Sequence, residues 1–269
     1  MTIGWDGDAE QLLRRVPFFV RHRVRKKVEE DVTAAGRSRV TVADLEESKR
    51  RQLQRLSEGV KGYTLETCFG GSGCQNAVVV SAELVSRLEE LLERADLLSF
   101  LRTHFGERLK LHHQCRVTLA DCPNSCSQPQ IKDIGIMGEV DVRCELDECN
   151  GCGECRSVCE ESAICWEKDR LAGIDSARCV RCGACARVCP VGALKNGTGS
   201  YRILLGGKLG RHPQLGRELA RGLDANQVVE LVSRIIKLYK ASAVKGERLG
   251  VLTNRIGWDR FKTLVISAG

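Results

Sequence analysis

The chain has 269 residues, with 42 Lys and Arg against 35 Asp and Glu, 42% hydrophobic residues and 29% charged ones. That balance excludes a disordered chain, and no apolar run approaches the roughly 18 residues that span a bilayer, so membrane insertion is not expected. Fifteen cysteines accompany an acidic start, Asp6, Asp8 and Glu10, where an export signal would be basic and then apolar. These features predict a cytoplasmic protein that keeps its thiols for metal ligation, because a reducing compartment disfavours disulfides.

Residues 1–58 contain no cysteine and read as three short helices. Gln11 to Arg15 lead to Pro17. A second helix runs from about Arg21 to Gly36, a residue suited to the left-handed position after a helix. Thr41-Val-Ala-Asp44 has the capping-box pattern of a third, which stops at Gly59. Phe18, Phe19 and Val20 are expected in the core of this bundle. Trp5, Ala9, Leu13, Pro17-Phe-Phe-Val-Arg21 and Val28-Glu29 resemble the small helical domain at the C-terminus of the B subunit of light-independent protochlorophyllide reductase. That resemblance implies association with reductive tetrapyrrole or iron–sulfur chemistry and names no catalytic residue.

Further on, Cys68 and Cys74 form C-x5-C, and Cys122 and Cys126 form C-x3-C. Four thiolates suggest one 4Fe-4S cubane, and Pro123-Asn124 makes a tight turn that aims two of them at one centre. Between the pairs, Ser81 to about Phe105 is helical, with Leu84, Leu88, Leu91, Leu92 and Ala95 on one face. Arg116 to Ala120 and Ile134 to Arg143 read as strands.

The strongest pattern follows. Cys149, Cys152, Cys155 and Cys159 form C-x2-C-x2-C-x3-C, and Cys179, Cys182, Cys185 and Cys189 repeat it thirty residues later. Three thiolates of each run take corners of one cubane while the fourth reaches across to the other. Cys149, Cys152, Cys155 and Cys189 are therefore assigned to one 4Fe-4S centre, and Cys179, Cys182, Cys185 and Cys159 to a second. Zinc sites use paired knuckles, not two such quartets. Residues 145–200 resemble a bacterial dicluster ferredoxin, which implies one-electron relay. Glu160 stands where proline follows the last cysteine of the second run, a change expected to alter hydrogen bonding to sulfur while leaving ligation intact.

Tyr201-Arg-Ile-Leu-Leu-Gly-Gly-Lys208-Leu-Gly-Arg211-His-Pro213 reads as a strand and a glycine loop, and Asn226 to Ala241 as an amphipathic helix. Residues 201–269 hold 13 basic and 5 acidic residues. Arg234, Lys237 and Lys240 recur at helical spacing as one solvated face would, and the aromatic interleaving of a nucleic-acid surface is absent.

Thr67-Cys68-Phe-Gly-Gly-Ser-Gly-Cys74, Asp121-Cys122-Pro-Asn-Ser-Cys126-Ser-Gln-Pro129 and Asp133-Ile-Gly-Ile-Met-Gly138 resemble the sulfite and nitrite reductase family. The resemblance covers residues 59–144 and 201–269, with the ferredoxin inserted between, as in dissimilatory and anaerobic sulfite reductase subunits. It implies an α+β fold, a mixed sheet with flanking helices, and a fourth cysteine, Cys126, shared between the cubane and the iron of a sirohaem. Asn124, Gly206 and Gly207 are then expected beside the cofactor, the glycines letting backbone approach a flat ring, as would Gly210. Arg116, Lys208 and Arg211 are the expected catalytic cations, pairing with carboxylates of the ring or with a small anionic substrate. Where relatives carry Lys-x-Lys, this chain has Gln114-Cys115-Arg116, and residues 1–58 show no equivalent of the family's upstream half-domain.

The implied activity is multi-electron reduction of a small anion, fed by an electron-donor protein and completed by a second copy or a partner reductase subunit. The alternative is a non-catalytic electron-transfer subunit with three 4Fe-4S clusters and no sirohaem. Cys115, Cys144 and Cys165 are expected as small buried hydrophobes. His112, His113 and His212 are candidate proton donors whose more ordinary role is structural, and His22 and His104 are structural.

Overall fold

The computed structural model describes residues 3–107 and 109–267, the side chains of 53–58 excepted. Two compact units emerge, one reaching to Val60 and including the segment that ends at His112, the other comprising Lys61–Glu107 and His113 onward.

The first unit holds helices Gly7–Arg14, Phe18–Ala34 and Val42–Glu58 and a parallel pairing of Gly4–Trp5 with Arg39–Val40. Its core is Ala9, Leu13, Val28, Val32, Val40 and Leu45, with Val28 and Val32 one helical turn apart and so on one face. Trp5 Nε1 donates to Glu29 Oε1 at 2.9 Å, and the Arg25 guanidinium lies 5.0 Å from the indole centroid. The third helix starts as the sequence indicates. Asp44 Oδ2 accepts from the Thr41 amide at 2.9 Å and from its hydroxyl at 2.8 Å, while Arg37 clasps the same carboxylate.

One expectation fails here: Phe18 and Phe19 are 81% and 75% exposed. Behind Pro17 the second helix starts at Phe18, three residues earlier than Arg21, and Arg21 donates back to the Val16 and Arg14 carbonyls. This turns the aromatic pair outward, where the rings pack edge to face with centroids 5.7 Å apart.

The second unit is built on a five-stranded mixed sheet in the spatial order Tyr63–Thr67, Cys115–Ala120, Ile134–Cys144, Leu194–Leu205, Arg217–Leu223. The first three strands are parallel and the last two antiparallel to their neighbours. Val117, Leu119, Ile134, Ile136, Ile203 and Leu205 are fully buried, as the alternating hydrophobic pattern requires. Helices Ala82–Arg94 and Leu97–Phe105 carry the crossover from the first strand to the second, and Ala225–Ser242, Leu249–Ile256 and Trp258–Ile266 complete the helical layer. The single helix expected over 81–105 is interrupted because Asp96 takes a left-handed conformation (φ 44°) and caps the next helix, accepting from Ser99 N. Asp224 and Gln227 form a reciprocal capping box at the start of Ala225–Ser242.

Strands Ile134–Cys144 and Leu194–Leu205 pair antiparallel from Ile134 opposite Leu205 to Cys144 opposite Leu194. The segment between them is therefore a long excursion from one hairpin, closed by Glu145 N donating to Ala193 O at 2.8 Å. Its internal duplication is visible in the backbone. Gly153 (φ 80°) opens the short helix Glu154–Ser157, and Gly183 (φ 67°) opens Ala184–Arg187. The hairpin Ile164–Glu167 with Arg170–Ile174 joins the halves.

Candidate functional site

The excursion folds its eight cysteines around two cavities. One is lined by Cys149, Cys152, Cys155 and Cys189. The other is lined by Cys159, Cys179, Cys182 and Cys185. The fourth cysteine of each run thus stands with the first three of the other. Leu171 N points at Cys149 Sγ (3.5 Å), Ala163 N at Cys159 Sγ (3.3 Å) and Arg181 N at Cys179 Sγ (3.4 Å). Amide donors of this kind stabilise thiolate charge, and those of Leu171 and Gly151 hold the Cys149 thiol below its ordinary range. Burial pushes Cys155 and Cys179 up, and Cys185 to about 12. Thiols that burial keeps protonated give up their protons to a cation, not to water. Among the described residues no three His, Cys, Asp or Glu side chains converge as ligands of a single ion. The two quartets instead converge within shells of apolar side chains, a donor set and an environment that fit iron–sulfur cages. Glu160 enters a turn closed by Ser162 N on Cys159 O at 3.1 Å.

A third quartet lies at the ends of the parallel strands. Cys68 follows the first strand, and Cys122 and Cys126 follow the second. Burial raises the Cys122 thiol, and Cys68, Cys126 and Cys74 lie near enough to raise it further, so the four sulfurs share one locality. Gly70 N and Asp121 N donate to Cys68 Sγ at 3.3 and 3.2 Å. Cys122 is buried, whereas Cys126 and Cys74 are exposed. Ser125 (φ 57°) and Gln128 (φ 59°) bend the backbone on both sides of Cys126, and Asn124 is exposed on the same turn.

The expected cations are distributed unevenly. Arg116 lies 3.9 Å from Glu66 Oε1, and the other oxygen of that carboxylate is taken by the ammonium of Lys132, only 3% exposed. Lys132 was not singled out by motif reading. Its signal in the sequence is a lysine amid the apolar and turn residues between Pro129 and Ile134. Lys208 is half-buried, bridged through its backbone to Gln214, and Arg211 is exposed. Gln114 is turned inward, its Oε1 accepting from Lys61 N at 3.1 Å, and so serves the strand edge.

The glycine loop differs from expectation in what it packs against. Gly206 and Gly207 are buried, and a Cβ on Gly207 would fall 2.4 Å from Gln130 O and 2.7 Å from Lys132 O. The close approach that glycine permits is to the chain's own Gln130–Lys132 turn, while Gly210 (φ 107°) borders open space. Behind the second strand, Asp133 is buried, accepting from Arg116 N at 3.0 Å and Arg248 at 2.8 Å. Burial lifts its pKa despite the guanidinium.

Of the remaining thiols, Cys115 is buried and Cys144 half-buried, but Cys165 is exposed. It alternates with Ile164 and Trp166, which face the hydrophobic cluster of the excursion. His104 ties its helix end to Ala243 O, and His113 stacks on Phe105 at 4.5 Å.

Parallel strands that end in paired cysteines, joined to a duplicated eight-cysteine excursion, define a redox protein of the iron–sulfur class. The chain belongs to the family of the nitrite and sulphite reductase 4Fe-4S domain, whose model matches residues 61–268. Residues 5–49 match the model of the proto-chlorophyllide reductase 57 kD subunit. Among curated relatives, the coenzyme F420-dependent sulfite reductase of Methanocaldococcus jannaschii is 28% identical over 79% of this chain and 32% of its own length. The dissimilatory-type sulfite reductase subunit beta of Nitratidesulfovibrio vulgaris is 27% identical over 59% of this chain and 47% of its own. The chain thus spans between about a third and a half of these relatives. The crystal structure of dissimilatory sulfite reductase I shares the fold, with a TM-score of 0.53 and 19% identity over 84% of this chain and 58% of that one. A redox role related to that of sulfite and nitrite reductases follows. Among the described residues, no helix is long and apolar enough to cross a membrane.

Proposed function

We propose that the chain is a reductase subunit acting in the cytoplasm, in which residues 145–200 relay electrons to a sirohaem-coupled centre in residues 59–144 and 201–269, and residues 1–58 form an accessory helical domain. When bound, the 4Fe-4S clusters supply one-electron carriers and sirohaem supplies the iron on which an anion is reduced. Cys149, Cys152, Cys155 and Cys189 hold the first cluster, Cys159, Cys179, Cys182 and Cys185 the second, and Cys68, Cys74, Cys122 and Cys126 the third. Cys126, exposed like Cys74 while Cys122 is buried, is the sulfur that the family resemblance assigns to a second metal, and Asn124 stands on the same turn. Arg116, Lys132, Lys208 and Arg211 supply positive charge to a small anion, with Lys132 replacing the charge lost at Gln114. An electron-donor protein and a second copy or partner subunit complete the assembly.

The observation that carries this reading is the crossed lining of the two cavities together with a third quartet at the strand ends. A second reading, electron transfer to a partner reductase without sirohaem, is favoured by one feature. Glu66 already pairs with both Arg116 and Lys132 and offsets one of their two charges, as a substrate anion would. The test is an absorption spectrum of anaerobically purified protein, with iron and tetrapyrrole quantified. About twelve irons per chain, one more for sirohaem and tetrapyrrole bands support the first reading. The same clusters without tetrapyrrole support the second.

A further inference from the structure

The internal duplication breaks at one informative position. The third residue of the first run is Gly151, with φ 76°, and its counterpart in the second run is Arg181, with φ 61°. Left-handed backbone is strained for a residue that carries a Cβ, so the second run tolerates strain at the place where the first uses the residue that suits it. What the strain provides is visible around the side chain. The Arg181 guanidinium lies 3.4 Å from Glu139 Oε1 and 3.2 Å from Asp141 Oδ1. Its carbonyl accepts from Val140 N at 2.9 Å, and its amide donates to Cys179 Sγ at 3.4 Å. Glu139 is wholly buried in the central strand. It also meets Arg202 and Arg221, each 4.0 Å from Oε2, and its Oε1 accepts from Gly222 N at 3.1 Å. A buried carboxylate persists only with such partners.

We propose that Arg181, anchored to the sheet by Glu139, is the positioning residue of the centre held by Cys159, Cys179, Cys182 and Cys185 and sets its reduction potential apart from that of its twin. This rests on the reading that the quartet holds a 4Fe-4S cluster. A cation beside a cluster favours the reduced, more negative state and raises the potential, and an anion lowers it. The two partners of one ion pair therefore act in opposite directions, a signature that a scaffold role does not produce.

The test is redox titration, followed by electron paramagnetic resonance, of the full chain reconstituted anaerobically, after iron has been counted. Arg181→Gly keeps the backbone bonds and relieves the strain, matching the first run. It is expected to retain the parent's iron and to lower the midpoint of one ferredoxin centre while leaving the other in place. Glu139→Gln is expected to raise that same midpoint, and Arg181→Lys to stay near the parent. If Glu139→Gln does not fold, Arg181→Gly decides alone. Full iron with both midpoints unmoved in Arg181→Gly, or moved equally, overturns the proposal. A parent chain whose ferredoxin segment takes up no iron overturns the cluster reading and the proposal with it, so the two failures are told apart by the iron count.

Discussion

Lys132 buries its ammonium, 3% exposed, against the carboxylate of Glu66, which is 45% exposed. The pair is asymmetric, and so are the consequences of breaking it. Glu66→Gln leaves a buried cation without its counter-charge and is expected to cost about 2 kcal/mol, less than a fully buried pair because water reaches the carboxylate. Lys132→Met leaves Glu66 facing solvent and is expected to cost less than about 1 kcal/mol. Urea midpoints of the two variants check this, and the reverse order would show that the ammonium is hydrated.

Gly70 rests directly on Asp121. A Cβ there would lie 2.0 Å from Asp121 Oδ2 and 2.5 Å from its Cβ, and Asp121 is held in place by its backbone N–H, which donates to Cys68 Sγ. Gly70→Ala is expected to displace the loop between Cys68 and Cys74 and to remove one cluster of three, about four irons of twelve. Iron analysis would show a loss of about a third with the ferredoxin signals retained. Full iron would mean that the loop yields without harm to ligation.

In the helical unit, Arg37 holds the Asp44 carboxyl down to about 2, and the Thr41 amide and hydroxyl assist. A carboxyl depressed on folding contributes stability above its unfolded pKa, about 4, and loses it as pH falls towards the folded value. Asp44→Asn is expected to destabilise this unit by about 1 kcal/mol at pH 7, a figure discounted because Arg37 is half exposed. Melting followed by circular dichroism at pH 7, 4 and 2.5 should show the gap between parent and variant closing as acid is added. A gap independent of pH would assign the effect to cap geometry alone.

Cys165 and Cys115 are both left over from the quartets and differ in accessibility. Cys165 is exposed, whereas Cys115 is buried and burial pushes its thiol well up. Iodoacetamide applied to the cluster-loaded chain should modify Cys165 first and leave Cys115 untouched until unfolding, as read by peptide mass spectrometry. Early labelling of Cys115 would mean that the second strand opens readily.

Much of the site was legible because ligand spacing is a short-range property. A cubane dictates which intervals between cysteines are useful, and the crossed lining of the two cavities follows from those intervals. The strands expected at Arg116–Ala120 and Ile134–Arg143 and the helix expected at Asn226–Ala241 are present with bounds one residue wider, as Cys115–Ala120, Ile134–Cys144 and Ala225–Ser242. What stayed hidden depends on distant partners. Arg217–Leu223 carries charges throughout, because as an edge strand it faces solvent and Glu139, so its pattern resembles a loop. Lys132 gains its meaning from Glu66, 66 residues away. Phe18 and Phe19 look like core by composition, and only the early helix start at Pro17 turns them out.

The two central strands face each other down to the Cys144–Leu194 pair, and chain ends in such a pair lie only about 5 Å apart. Everything from Glu145 to Ala193 therefore leaves and re-enters the sheet at one point, like an appliance on a single socket. A lineage can acquire or discard such a cassette by one insertion or excision without re-registering a strand. The cassette is tied to the sheet a second time at Glu139, which without Arg181 would keep, among the described residues, Arg202, Arg221 and one backbone amide for company.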